Sequence, residues 1–323
     1  MLATEVRATT SRIPRAIPQI ATREHIVRYY EVAGPDYAAW SPKFNMHFGY
    51  FERGANPFRR EPMLERMSQA TLDQLDLPPG QSATVADMGC GLGATARFIA
   101  ERRPRAEITG FSVVPWQVAN GNRMSAETGL DGRVRLVLAD FVRTPAAAGS
   151  FDRAYAIESA SYADGPDKHD LVAEMARIVK PGGRVSFSDG FRKDLRPLRP
   201  PLHGFYAASC GAWAIHEMAV IGPFLRALEA HGFVDVCAEE ISWRVAPSFA
   251  HVPLLCARFA LQRLSRGEFA WPKERWQNLL GPLFGGLLGL HRSRFGYFLV
   301  SATRRGRTGR VEIDSPRSVP GIR

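Results

Sequence analysis

The chain has 323 residues, 45% of them hydrophobic and 23% charged, with a formal net charge of +10. That length and composition fit one large core or one domain with an appendage, and they exclude a disordered or fibrous chain. The charge does not mark a nucleic-acid binder, because residues 1–28 carry five Arg against two Glu and residues 304–323 carry six Arg against two acids, leaving only +3 between them.

Residues 1–21, rich in Arg, Ser and Thr and poor in acids, share that composition with transit peptides but read as a flexible tail. A cap segment is expected over 22–79. Helical patterning begins near Thr22 and covers Glu24 to Ala33. An aromatic loop follows to Phe51, then a helix over Pro62 to Leu75, closed by Leu77-Pro78-Pro79-Gly80. Residues 80–190 alternate strand and helix. Strands are predicted at 83–88, 107–112, 134–139, 151–157 and 183–189, and helices at 94–102, 115–128 and 169–179. This alternation predicts an α/β fold, a doubly wound and mostly parallel sheet with an α-rich cap, whose ligands sit beyond the carboxyl ends of the strands. Over 191–303 the expected elements are a partly helical stretch to 224, a helix at 224–232, a strand at 234–244, apolar helices at 247–290 and a closing strand at 295–302. These are read as a substrate cap and closing strands. The segment 279–290 is too short for a membrane span and holds four glycines. Residues 304–323 read as a basic disordered tail, so peripheral membrane contact is the most that is expected. The four cysteines form no C-x-x-C pair, so the reading is a reduced, cytoplasmic setting with no metal site.

The chemistry begins at Val85-Ala86-Asp87-Met88-Gly89-Cys90-Gly91-Leu92-Gly93. A strand runs into an acid, then three glycines at alternate positions, then a helix. Glycines let backbone pass close to a ligand, and a helix N-terminus offers free N–H groups to an anion. A dinucleotide fingerprint has the spacing G-x-G-x-x-G, which this chain lacks. The G-x-G-x-G turn behind an acid instead resembles the first motif of class I S-adenosylmethionine-dependent methyltransferases. That resemblance, over residues 80–190, implies S-adenosylmethionine as cofactor, held by Asp87, Gly89, Cys90, Gly91 and Gly93. It further implies adenine contacts from Asp140 and Phe141. Where most of that class has an acid for the ribose, this chain has Ser112, followed five residues later by Gln117. This pair resembles the sterol and tocopherol C-methyltransferases, and Gln117 is expected to supply the missing ribose contact.

The same group has a Glu at the end of the fourth strand, matched here by Glu158. Tyr162 stands where the group often has a His. The segment His47-Phe48-Gly49-Tyr50, with Tyr29, Tyr30 and Tyr37 before it, resembles the group's aromatic stretch. The resemblance implies methyl transfer to a carbon of a lipophilic isoprenoid or related natural product. Glu158 and His47 are expected to be catalytic, and Tyr50, Tyr162, Trp213 and His216 to bind substrate. Three alternatives stay open. The acceptor is an amine or hydroxyl of an alkaloid or polyketide; it is a prenyl diphosphate met by magnesium and Arg192, Lys193, Arg196 and Arg199; or the chain is a non-catalytic binding protein on this fold. No nucleic-acid partner is expected, and the oligomeric state is left open.

Overall fold

The computed structural model describes residues 22–306; the expectations for 1–21 and for residues 307–323 lie outside them. Helix α1 (Arg23–Ala33) starts where Thr22 Oγ1 accepts the His25 N–H, a side-chain N-cap, and runs into a 3-10 turn over Gly34–Ala39. Helix α2 (Arg60–Leu75) and the alternating core follow: β1 (Ala83–Met88), α3 (Ala94–Arg102), β2 (Ala106–Ser112), α4 (Pro115–Glu127), β3 (Val134–Leu138), β4 (Phe151–Ile157), α5 (His169–Ile178) and β5 (Val179–Arg192). Then come α6 (Leu202–Ala212), α7 (Ile221–Ala230), β6 (Phe233–Glu240), α8 (Ser242–Ala250), α9 (Val252–Ser265), α10 (Lys273–Leu290) and β7 (Phe295–Arg304).

The strands form one sheet in the order β3-β2-β1-β4-β5-β7-β6. The first five are parallel, and β7 enters antiparallel between β5 and β6. Apolar clusters cover both faces. One gathers Phe187, Phe191 and Val300 with Leu171, Met175 and Phe224; the other gathers Val85, Ile108 and Leu136 with Leu72 and Ile99. Each such buried side chain contributes about 1.5–3 kcal/mol. The strand order reverses at β1, whose neighbours are β2 and β4, and a crevice opens there beyond their carboxyl ends.

Three departures from the sequence reading have local causes. Helix α2 belongs to the sheet layers rather than the cap: Leu64, Met67, Leu72 and Leu75 are fully buried, and Thr71 Oγ1 lies 3.2 Å from Ser188 Oγ of β5. The strand expected to reach Arg244 stops at Glu240. Ser242 Oγ takes the Tyr297 N–H in place of backbone, and the Arg244 N–H bonds Ile241 O to start α8. Pro282 sits inside α10 without ending it. The glycines of that helix serve close packing: a Cβ on Gly285 would stand 2.5 Å from the Trp213 ring, and one on Gly286 2.6 Å from the Phe249 ring. Lys180-Pro181-Gly182-Gly183 form a bulge inside β5, with Gly182 at φ +79° and the register against β4 shifting between Phe151 and Arg153.

Candidate functional site

The first cavity, about 250 Å³, lies over the carboxyl ends of β1, β2 and β4. Asp87 stands one residue before the end of β1, 4% exposed, and the Tyr155 hydroxyl donates to Oδ2 at 2.7 Å. Burial pushes this carboxyl up to about 7, and Tyr155 holds it down only in part. After it the chain turns through Gly89 (φ +87°) and Gly91 (φ +52°), conformations that favour glycine. The N–H groups of Gly89 and Cys90 both bond Phe111 O at 3.0 Å, tying the turn to β2. A Cβ on Gly89 would strike the Ser159 side chain. Cys90 lines the cavity with a thiol that burial raises, so it stays neutral.

At the end of β2, Ser112 Oγ donates to Gln117 Oε1 at 2.7 Å and accepts the Val114 N–H. The two residues whose roles were expected to be shared are thus in direct contact, both buried and both lining the cavity. Asp140 and Phe141 line the same cavity beyond β3, with Asp140 Oδ1 accepting the Val142 N–H at 3.1 Å. Gly93 is a correction. It does not line the cavity; at φ +73° it caps α3 and packs against the Leu136 side chain, a structural duty.

These residues fit S-adenosylmethionine. Asp87 is a buried carboxyl in the cavity wall whose hydrogen-bond partner among the described residues is a neutral hydroxyl, a site an ammonium group satisfies. The Gly turn admits backbone contact, and Ser112, Gln117 and Asp140 present polar groups for a nucleoside.

The second cavity is larger, about 500 Å³, and mostly apolar. The cap elements α1, α8 and α10, with Trp213 just past α6, enclose it over the ends of β4 and β5. Tyr30, Met46, His47, Glu158 and Tyr162 line both cavities and form the passage between them.

Glu158 directly follows β4, at φ +48°, a left-handed conformation costly for a residue with a Cβ. Its N–H bonds Ser188 O at 2.8 Å. Its Oε1 accepts the Phe48 N–H at 2.7 Å and the Tyr297 hydroxyl at 2.8 Å. With both donors on Oε1, the acid's proton belongs on Oε2. Burial, reinforced by the charge of Asp189, pushes this carboxyl up to about 8 against those two hydrogen bonds. Asp189, on β5, is raised by burial to about 6; its Oδ1 accepts the Gly190 N–H, while Oδ2 is buried with no hydrogen-bond partner among the described residues.

His47 Nδ1 lies 2.9 Å from Phe48 O, so Nδ1 carries the proton and Nε2, buried and unpartnered among the described residues, presents its lone pair. Burial lowers this imidazole to about 4, so it is neutral at pH 7. Tyr162 donates to Trp213 O at 2.9 Å, which leaves Tyr30 to donate to Tyr162 at 2.7 Å. That chain joins α1 to the loop after β4.

Trp213 and Tyr162 line the larger cavity, but Tyr50 and His216 line neither. Tyr50 packs against the cluster of Met67, Ala70 and Val245, with the Arg66 and Arg244 guanidinium groups 5.8 and 5.6 Å from its ring centre. His216 stands 3.6 Å from the exposed Asp164. The basic residues considered for a diphosphate are also elsewhere. Lys193 pairs with Glu240 and Arg196 with Asp194, and none of Arg192, Lys193, Arg196 and Arg199 lines the cavity, whose cations are Arg60 and Arg292. Among the described residues no group of three or more His, Cys, Asp and Glu is placed to hold a metal ion. Sequence reasoning missed Tyr155, Asp189 and Tyr297. Each sits inside a strand, and only the pairing of β7 against β5, with Tyr297 opposite Gly190, carries Tyr297 to Glu158.

Residues 85–183 match the family model described as a methyltransferase domain. A probable chloroplastic tocopherol O-methyltransferase of Oryza sativa subsp. japonica is 27% identical over 230 residues, covering 68% of this chain and 62% of the relative. The methyltransferase GfsG of Streptomyces halstedii is 36% identical over 148 residues, covering 45% and 50%. The chain thus spans between half and two thirds of the length of these curated relatives. In fold it is similar to the geranyl diphosphate C-methyltransferase of Streptomyces coelicolor A3(2), solved with Mg²⁺, geranyl diphosphate and S-adenosyl-L-homocysteine. The TM-score is 0.64 at 19% identity, covering 87% of this chain and 98% of that one. Sheet order, glycine turn and family match agree: residues 85–183 are a methyltransferase domain on a doubly wound sheet, and the chain resembles the class I S-adenosylmethionine-dependent methyltransferases, the isoprenoid C-methyltransferase group among them.

Proposed function

We propose that this protein transfers a methyl group from S-adenosylmethionine to a carbon of a lipophilic isoprenoid or related natural product. The observation that carries this reading is the junction of the two cavities, where a cleft of mixed polarity meets a mostly apolar chamber and the one carboxyl that lines both is the half-buried Glu158. Asp87, Ser112, Gln117, Asp140 and Phe141 hold the cofactor, with backbone of the Gly89–Gly91 turn against it. S-adenosylmethionine supplies a methyl group on a cationic sulfur. The aromatic walls of the passage, Tyr30 and Tyr162 among them, favour positive charge over their faces and exclude water from it. The larger cavity aligns the acceptor carbon with the passage, so that proximity and orientation provide much of the acceleration. In its ionised form Glu158 takes on Oε2 the proton that the acceptor loses once its new carbon–carbon bond has formed, and becomes the neutral acid. Tyr297 and the Phe48 N–H hold Oε1 in place before and after that transfer, and neutral His47 offers Nε2 as an acceptor to a substrate hydroxyl.

A hydroxyl acceptor is the second reading. The observation favouring it is the raised carboxyl of Glu158, since a base that titrates near the working pH suits removal of a hydroxyl proton.

The test is incubation with methyl-labelled S-adenosylmethionine and a panel of isoprenoid alcohols, quinols, prenyl diphosphates and amines. Label that enters organic solvent and survives acid and alkali, on a carbon located by NMR, supports the first reading. Label on oxygen supports the second. Label that stays in water until phosphatase releases it overturns both in favour of a diphosphate. Micromolar binding of S-adenosylhomocysteine without transfer to any acceptor points to a binding protein on this fold.

A further inference from the structure

The outer face of α10 takes no part in either cavity except at its last residue, Leu290. Trp276, Leu280, Leu283, Leu287 and Leu290 recur at spacings of three and four, which puts all five on one side of the helix. They are 49, 41, 38, 38 and 77% exposed. The row is about 21 Å long at 1.5 Å per residue, and it contains no charge. Its far end reaches the acceptor cavity, because Leu290 also lines that cavity, as does Trp243, which is 75% exposed. An apolar surface therefore continues from the outside of the molecule into the chamber. Beside it, α9 exposes Leu254 and Leu261 (71 and 68%) with Arg258 between them at helical spacing.

The charges around this surface indicate what it meets. Residues 242–292 hold seven Lys and Arg against two Glu. Both acids are engaged, Glu268 by Arg263 and Arg275 and Glu274 by Arg28. Arg258, Arg266 and Lys273 are exposed and make no ion pair among the described residues. A second copy of the chain would set this positive surface against its own like. An apolar helix face edged by cations matches the surface of an anionic bilayer, into which such a face sinks about 5–10 Å. No helix among the described residues is long and apolar enough to cross a membrane.

We propose that α9 and α10 seat the protein on an anionic lipid surface, with the mouth of the larger cavity at Trp243 and Leu290 turned toward the bilayer. Such docking holds whichever acceptor the cavity takes. The test uses the full chain with vesicles of equal parts phosphatidylcholine and phosphatidylglycerol, and with phosphatidylcholine alone, in a sedimentation assay. Wild type is expected to bind the anionic vesicles and L280S/L283S/L287S to bind at least about tenfold less, while both bind S-adenosylhomocysteine equally. If the leucine variant loses S-adenosylhomocysteine binding, R258E/R266E/K273E decides, with the same loss expected. Brominated lipid is expected to quench wild-type tryptophan fluorescence, and to quench it less in Trp276→Phe. Three results overturn the assignment. Wild type fails to sediment; the leucine variant sediments as well as wild type, which would leave the attraction to other basic segments; or wild type is a dimer that the leucine variant dissolves without either binding vesicles.

Discussion

The two cavities share five residues and differ in almost everything else. The cofactor cleft is built at strand ends, with Asp87 next to last in β1, Ser112 last in β2, Asp140 after β3 and Ser159 after β4, each group placed by its own strand and the turn that follows. The acceptor cavity draws on residues from Tyr30 to Tyr297, and its key contacts span most of the chain: Phe48 to Glu158, Tyr162 to Trp213, Tyr297 to Glu158. A cofactor site can rest on local geometry because its ligand stays constant. An acceptor site rests on how separate elements pack, so small changes in packing alter what it holds.

That division has consequences that can be measured, the largest at the junction. Glu158→Gln is expected to lower turnover about 10²- to 10⁴-fold, the range for a lost acid–base group, while calorimetry finds S-adenosylhomocysteine binding within a few-fold of wild type. An equal loss of both would merge the two sites. The same variant has a stability signature. The carboxyl titrates near 8 in the folded protein and near 4.3 when unfolded, so between those values the native state binds the extra proton. Its contribution to stability is full below the unfolded value and is lost as pH rises through about 8. The variant should therefore match wild type near pH 4 and gain in melting temperature relative to it toward pH 9.

On the cofactor side, Asp87→Asn is expected to weaken S-adenosylhomocysteine binding about 10- to 100-fold, the value of a charge-assisted contact. The deficit should narrow below pH 7, where the wild-type carboxyl also becomes neutral. A deficit that does not change with pH would remove the charge from the explanation. On the acceptor side, Gly285→Ala pushes a methyl group into the Trp213 ring. It is expected to raise the acceptor KM about tenfold, at a packing cost of about 1–3 kcal/mol, and to leave cofactor affinity unchanged.

The smallest effect tests the link between sheet and cap. Tyr297→Phe removes one of the two donors to Glu158 Oε1, so its carboxyl should rise further and the acid limb of the pH–rate profile should move to higher pH. Turnover should fall a few-fold at pH 7 and recover by pH 9. A uniform loss at every pH would assign Tyr297 to packing alone.

Much of the molecule was legible before any coordinates, and for local reasons. Strand and helix periods, glycine and proline punctuation and acids at strand ends outlined the sheet, its crossover helices and most of the cofactor cleft. Those signals depend on neighbours within about ten residues. Even Ser112 and Gln117 follow this rule, since they stand five positions apart across the short β2–α4 connection. Gly93 was misjudged because its spacing is the same whether it faces a ligand or caps a helix. Helix α2 was misplaced because an amphipathic helix does not specify which apolar surface it covers. Tyr50 and His216 were misjudged because an aromatic or imidazole ring has no sequence signal for the side on which it will be buried. Tyr297, Asp189 and Tyr155 became site residues only through strand pairing, and Trp213 met α10 only through the glycines opposite it. The sequence by itself determined the doubly wound sheet and the chemistry of its strand ends, because propensity and patterning act locally. Only the tertiary structure decided the acceptor chamber, the raised carboxyl of Glu158 and the exposed face of α10, because burial and long-range hydrogen bonding are properties of elements packed together.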